Sequence, residues 1–163
     1  MSAVQVGKII EVIQHPFGKG ALTTDGVQWS AEVTSAGVTY TTVENVIIDE
    51  IGSGGGPGAE GTLIELELGI TWQQKSSGAT YKAIGRLQGR NKGGTWVDLA
   101  EVTNTTAGTT YEGKTYSGRY ATVTNFSKYP FELRVQVKSE NVAENAIGQV
   151  KNSSYCSAKY KIA

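Results

Sequence analysis

The chain of 163 residues is poor in the residue types that concentrated chemistry requires. Its one cysteine, Cys156, excludes an internal disulfide framework. With His15 as the one imidazole, few soft ligands remain for zinc or iron–sulfur chemistry, and a Ser-His-Asp or Cys-His nucleophile has little to stand on. No Asp-x-Asp-x-Asp run is present for calcium. No window approaches the roughly 18 consecutive apolar residues of a membrane span. The start, Met-Ser-Ala-Val-Gln-Val-Gly-Lys, lacks the apolar core of a secretory signal, so a soluble chain made without a signal peptide is expected. Net charge is zero, and the basic excess of a nucleic-acid binder is missing. Lys82, Arg86, Arg90 and Lys92 accordingly read as a solvated face with acidic neighbours.

Two-residue alternation is what the chain has instead. From Ile64 onward, Ile64, Leu66, Leu68, Ile70 and Trp72 fall on one parity and Glu65, Glu67, Gly69 and Thr71 on the other, which predicts a strand with one dry and one wet face. Phe131, Leu133, Val135 and Val137 repeat the pattern, as do Tyr81, Ala83, Gly85 and Leu87, and Cys156, Ala158, Tyr160 and Ile162. On that parity Cys156 reads as a buried structural thiol. Val27, Trp29, Ala31 and Val33 form a further alternating strand after the turn dipeptide Asp25-Gly26. Trp29 and Trp72 both fall on the core parity. The spacing makes a hairpin of the strands around Glu65/Glu67 and Lys82/Arg86/Arg90, with those charges as cross-strand partners. Ser139–Ile147 reads as a short helical turn with Ser139 as N-cap.

About seven strands between Gly61 and Ala163, separated by turn signals, predict an all-β fold, an antiparallel β-sandwich of jelly-roll or immunoglobulin-like topology. A smaller β-rich portion, residues 1–51, precedes it, and Gly52-Ser-Gly-Gly-Gly-Pro-Gly58 within residues 52–60 reads as a flexible linker to the sandwich domain, 61–163. A phosphate-cradling loop is rejected there, because no Gly-Lys-Ser/Thr follows and a strand comes next. Residues 1–60 carry two Lys against seven acids, a net of −5, while residues 61–163 carry 13 Lys and Arg against eight acids, a net of +5. Such opposed potentials favour packing of one portion on the other, within a chain or between neighbours.

Paired carboxylates, Asp49-Glu50, Glu65/Glu67 or Asp98/Glu101, would be the one economical route to hydrolysis, yet nothing in sequence separates their acidities. No enzyme, cofactor or metal is therefore expected. Asn104-Thr-Thr, Asn125-Phe-Ser and Asn152-Ser-Ser match glycosylation acceptors, coincidentally in a chain without a signal. If the sandwich binds a glycan, Trp96, Tyr111, Tyr116 and Tyr120 are the candidate ligand-facing aromatics.

A polar sandwich with no catalytic kit suits a structural or assembly protein. Its candidate interface is the apolar run carrying Val4, Val6, Ile9, Ile10, Val12 and Ile13, which could complete a neighbour's sheet edge or pair within its own chain. At Gln88-Gly-Arg-Asn-Lys-Gly-Gly-Thr-Trp-Val-Asp-Leu99 and Lys151-Asn-Ser-Ser-Tyr155 the chain resembles β-sandwich virion accessory proteins of tailed bacteriophages, such as capsid decoration or fibre-associated domains. The resemblance covers residues 61–163. It implies a virion component, with self, capsid or tail subunits as partners in a homo-oligomer, and it hands over no functional residue. The alternative is a carbohydrate- or surface-binding module engaging host glycans.

Overall fold

A computed structural model of the chain describes residues 9–14, 29–48, 61–91, 93–120, 128–129 and 131–162. Expectations resting on Val4, Val6, His15, residues 52–60, Lys92 and Asn125 fall outside them. The regular structure of the described residues is entirely β: β1 (Ile9–Gln14), β2 (Val33–Thr34), β3 (Thr41–Ile48), β4 (Gly61–Ser76), β5 (Ala83–Asn91), β6 (Val97–Thr103), β7 (Glu112–Tyr120), β8 (Lys128–Tyr129), β9 (Phe131–Ser139), β10 (Ala146–Val150) and β11 (Tyr155–Ile162).

β4, at 16 residues, is the spine of the first sheet. One edge takes β11 and then β10, and the other takes β8 and then β7. β1 and β2 lie outside β11 and β10. The second sheet runs β3-β9-β5-β6, and every pairing in both is antiparallel. The pairs are nested: β5 with β6 innermost, then β4 with β7, then β3 with β9, then β1 and β2 with β11 and β10. Successive pairs fall in alternate sheets. An eight-row hairpin wrapped this way is a jelly roll, which settles the topology that periodicity left open.

Several local expectations are corrected by the pairing. β4 and β5 lie in different sheets, so Ser76-Ser77-Gly78 is an arch from one sheet to the other and not a hairpin. Glu65 instead meets Lys159 at 4.0 Å, and Glu67 accepts a hydrogen bond from the Tyr155 hydroxyl at 2.8 Å. β1 and β2 supply an outer row to one sheet and β3 an outer row to the other. Trp29 makes a bridge to Lys151 and is half-buried, whereas Trp72 is fully buried. Residues 140–145 form a turn and not a helical one, with the Ser139 hydroxyl accepting from Asn141 N at 3.2 Å.

Parity also changes within β4. Lys159 faces Glu65 and Tyr160 faces Leu63, leaving Ile64 as an extra, bulged residue. One added residue exchanges the two faces, so Leu63 is buried before the bulge, Leu66, Leu68, Ile70 and Trp72 after it, and Ile64 is 37% exposed. These side chains meet Phe131, Leu133, Val135 and Val137 of β9, Leu87 of β5, and Cys156, Ala158 and Tyr160 of β11 in one core. Burial pushes the Cys156 thiol up, as expected of an inert structural cysteine. Gly85 lies where the core is tightest: a Cβ there would stand 2.5 Å from Gln74 Oε1 and 2.6 Å from Trp72 Nε1. Those two polar atoms have no hydrogen-bond partner among the described residues.

At one end of the sandwich, carboxylates bind loops together. Glu144 accepts from Ser76 Oγ at 2.6 Å and from the Thr80 and Tyr81 amides at 3.0 Å each, while Glu140 accepts from Lys82 N at 2.9 Å. Asn145 joins the same arch to Gly37: its backbone N donates to Ser77 Oγ and its Oδ1 accepts from Gly37 N, at 2.9 Å each. These donors, the Ser76 hydroxyl first, hold the Glu144 carboxyl below its ordinary range.

Two outcomes follow. Gly85→Ala should lower unfolding free energy in a urea titration by about 1–3 kcal/mol, because the indole has nowhere to move. Glu144→Gln should lower the Tm at neutral pH. Because the folded-state pKa is depressed, that contribution is present above the unfolded carboxyl pKa and is lost as pH falls through the folded one, so the Tm difference should close in acid. A pH-independent difference would contradict it.

Candidate functional site

Alternation that turns Phe131, Leu133, Val135 and Val137 inward turns Glu132, Arg134, Gln136 and Lys138 outward on β9. On neighbouring β5, Arg86, Gln88 and Arg90 face the same way. Register sets Arg90 opposite Glu132, Gln88 opposite Arg134 and Arg86 opposite Gln136. β6 contributes Asp98 opposite Gln88 and Glu101 opposite Arg86, either side of a bulge at Leu99, and β3 contributes Thr42 opposite Gln136. The outer face of the second sheet is therefore a set of polar rungs.

Hydrogen bonds close each rung across the strands. Arg86 donates to Gln136 Oε1 from Nε at 2.9 Å and Nη2 at 2.7 Å, and Gln136 Nε2 donates to Thr42 Oγ1 at 3.1 Å. Arg134 Nε donates to Gln88 Oε1 at 2.8 Å, and Gln88 Nε2 to Asp98 Oδ1 at 2.7 Å. Glu132, only 5% exposed, takes Arg90 Nε and Nη2 at 3.2 Å each, with Gly93 N at 3.2 Å. Arg90 Nη1 reaches Gly94 O at 3.1 Å, so the β5–β6 turn is held by the same arginine.

Two aromatic rings lie on these guanidinium groups. Trp96, just before β6, has Arg90 and Arg134 at 4.2 and 4.0 Å from its ring centre. Tyr40, just before β3, has Arg86 at 3.6 Å and Lys138 at 4.6 Å, and its hydroxyl donates to Glu101 Oε2 at 2.8 Å. Such contacts are worth about 0.5–2 kcal/mol each, and they immobilise both partners. Burial, and then the Glu101 hydrogen bond, push the Tyr40 hydroxyl up. Burial, and then the charges of Arg86 and Arg90, hold Arg134 below the ordinary arginine range. The arrangement is one of planar donors and aromatic rings held in fixed positions. Among the described residues no three His, Cys, Asp or Glu side chains are grouped as a metal site.

A second surface feature lies on the outer face of the first sheet. Tyr155 covers Gly69, where any Cβ would collide with the phenol ring, and donates to Glu67. Glu67, Leu68, Ser117, Gly118 and Tyr155 line a shallow depression of about 290 Å³ there.

The residues expected to act are spread widely. Ile9, Ile10, Val12 and Ile13 lie in β1, paired with Lys161, Tyr160, Ala158 and Ser157 of their own chain, and Ile9 is 61% exposed. Trp96 belongs to the arginine face. Tyr111 takes Lys75 at 4.4 Å over its ring, and burial together with Glu32 pushes its hydroxyl up. Tyr116 packs against the core, and Tyr120 pairs with Leu66 at the end of β7. No single surface collects the four aromatics. Asn104, a glycosylation match in sequence, is buried, with Nδ2 donating to Gln74 O and Oδ1 accepting from Gln74 Nε2. Sequence reading missed Tyr40, Glu132, Arg134 and Gln136. Their outward parity was available, but which strands stand side by side was not.

No protein-family model matches the chain, and no curated protein matches it in sequence. Among solved structures it is similar to the mitogen of Yersinia pseudotuberculosis, with 10% identity, a TM-score of 0.36, and 90% of this chain and 86% of that one covered. It is also similar to latent PorU of Porphyromonas gingivalis, at 9% identity and a TM-score of 0.46, covering 98% of this chain and 13% of that one. A structure of infectious bursal disease virus gives 8% identity and a TM-score of 0.45, covering 96% of this chain and 37% of that one. These are distant likenesses, and they carry no activity, ligand or partner over to this chain.

The Arg90–Glu132 pair is the most buried charge on the face. Arg90→Met should cost ~2 kcal/mol in urea unfolding, since among the described residues Glu132 would keep only the Gly93 amide. Adding Glu132→Leu should recover most of that loss.

Proposed function

We propose that the chain is a non-enzymatic structural protein, a part of a larger assembly such as a phage virion. In this reading the outer face of the β3-β9-β5-β6 sheet meets a neighbouring subunit. The observation that carries it is the composition and rigidity of that face. Trp96, Tyr40, Arg86, Arg90 and Arg134 are the residue types that dominate protein contact energetics, and they are held in place before any partner arrives. Four cations, Arg86, Arg90, Arg134 and Lys138, stand among three carboxylates, Asp98, Glu101 and Glu132, so two copies of the face would not strongly repel. Jelly rolls host viral capsid and lectin domains alike, which is analogy of fold and favours neither.

Strand donation by β1 is the weaker route to assembly, because residues 9–14 are already hydrogen-bonded to β11. A glycan-binding role is the second reading, favoured by the Tyr155–Glu67 depression. Trp96 and Tyr40 suit neutral sugars less well, since at least one face of each ring is covered by a cation.

Light scattering over a wide concentration range tests the assembly reading. Mass should rise to a defined oligomer, and Tyr40→Ser with Trp96→Ser should keep the chain monomeric with its β spectrum intact. Point changes are required, since truncation before Gly52 would remove rows from both sheets. Monomers at every concentration would overturn self-assembly.

A further inference from the structure

We infer that Arg134 is the recognition residue of this face, and that its Nη1–Nη2 fork takes a carboxylate supplied by an aspartate or glutamate of a polypeptide partner. This rests on reading the face as a docking surface and names what it docks. Arg134 sits on β9, a central strand, between the rungs of Arg86 and Arg90. Its neighbours are satisfied within the protein: Arg90 by Glu132 and Gly94, and Arg86 by Gln136. Arg134 spends Nε on Gln88, and none of the described residues accepts a hydrogen bond from its Nη1 or Nη2.

The carboxylates within reach are already engaged, Glu132 by Arg90 and Asp98 by Gln88. Four cations, Arg86, Arg90, Arg134 and Lys138, against three carboxylates, Asp98, Glu101 and Glu132, leave the described face one negative charge short. The Nε bond and the Trp96 ring fix the plane of the fork, so an incoming carboxylate finds two parallel donors with little ordering left to do. Partial burial has already removed some of the water such a contact would displace; it also holds the Arg134 pKa down together with the neighbouring cations.

The surroundings select among anions. A nucleic acid or sulfated glycan carries a line of charge and would run over Glu132, Asp98 and Glu101, which lie among the basic positions of β5 and β9. A single carboxylate on an otherwise uncharged stretch of polypeptide meets no such repulsion.

Side-chain nitrogen NMR on the full chain, diluted until it is monomeric, reads the site directly. The probes are N-acetyl-glutamate α-amide, N-acetyl-glutamine α-amide and a sulfated disaccharide. The Arg134 Nε–H and Trp96 Nε1–H signals should move saturably with the glutamate amide, with a Kd on the order of millimolar, and not with the glutamine amide. Arg134→Gln should abolish the Trp96 shift, and Arg134→Lys should retain a weaker one. Equal responses to the two amides, a Trp96 shift that survives Arg134→Gln, or a stronger response to the sulfated disaccharide would each overturn the assignment. Loss of the glutamate response with oligomers intact removes the carboxylate and keeps the docking face. Monomers throughout, with the glutamate response intact, do the reverse.

Discussion

Side-chain parity on two central strands is the constraint from which the rest of this molecule follows. β4 and β9 are each bordered on both sides by other strands, so most of their backbone groups are engaged in ladders and their side chains have only two directions available. Inward residues build one continuous core, from Leu63 to Trp72 on one sheet and from Phe131 to Val137 on the other. Whatever is left on the alternate positions is presented outside, with no freedom to turn away.

That coupling joins fold and surface chemistry. Val135 and Leu133 cannot be buried without Arg134 being displayed between them, and Leu87 cannot be buried without Arg86 and Gln88 standing on the other side. The rungs then select one another by charge and by hydrogen-bonding capacity. The two aromatic residues that cover them come from connections just before β6 and β3, where the backbone can fold back over the sheet. A surface built in this way has rigid foundations, because displacing its side chains would mean breaking the ladder beneath them.

Much of the architecture was readable before any coordinates. Alternation in 131–138 and 154–161 specified which residues face inward, and the lone Cys156 fell where its parity placed it. Bulges were not readable: Ile64 has the same apolar character as Leu66, and only its unpaired position between Lys159 and Tyr160 shows that it faces out. Strand neighbours were hidden for a different reason. A jelly roll pairs segments far apart in sequence, so adjacency of β4 and β5 in the chain says nothing about adjacency in a sheet. The candidate face inherits that difficulty, since Tyr40, Arg86, Trp96 and Arg134 meet only through three different pairings, two of them long-range, and hindsight from parity alone could have assembled no more than pairs of them.

Nesting has an entropic consequence of its own. Joining Gln14 to Cys156 in an otherwise open chain would close a loop of roughly 140 residues, whereas the β5–β6 turn closes one of only a few, and closure entropy rises with the logarithm of that length. Each inner ladder, once formed, shortens the contour that the ladder around it has to span. The polypeptide can thus be wound from its middle outward by a succession of modest conformational penalties, none of them as large as the single one that bringing its distant segments together first would impose.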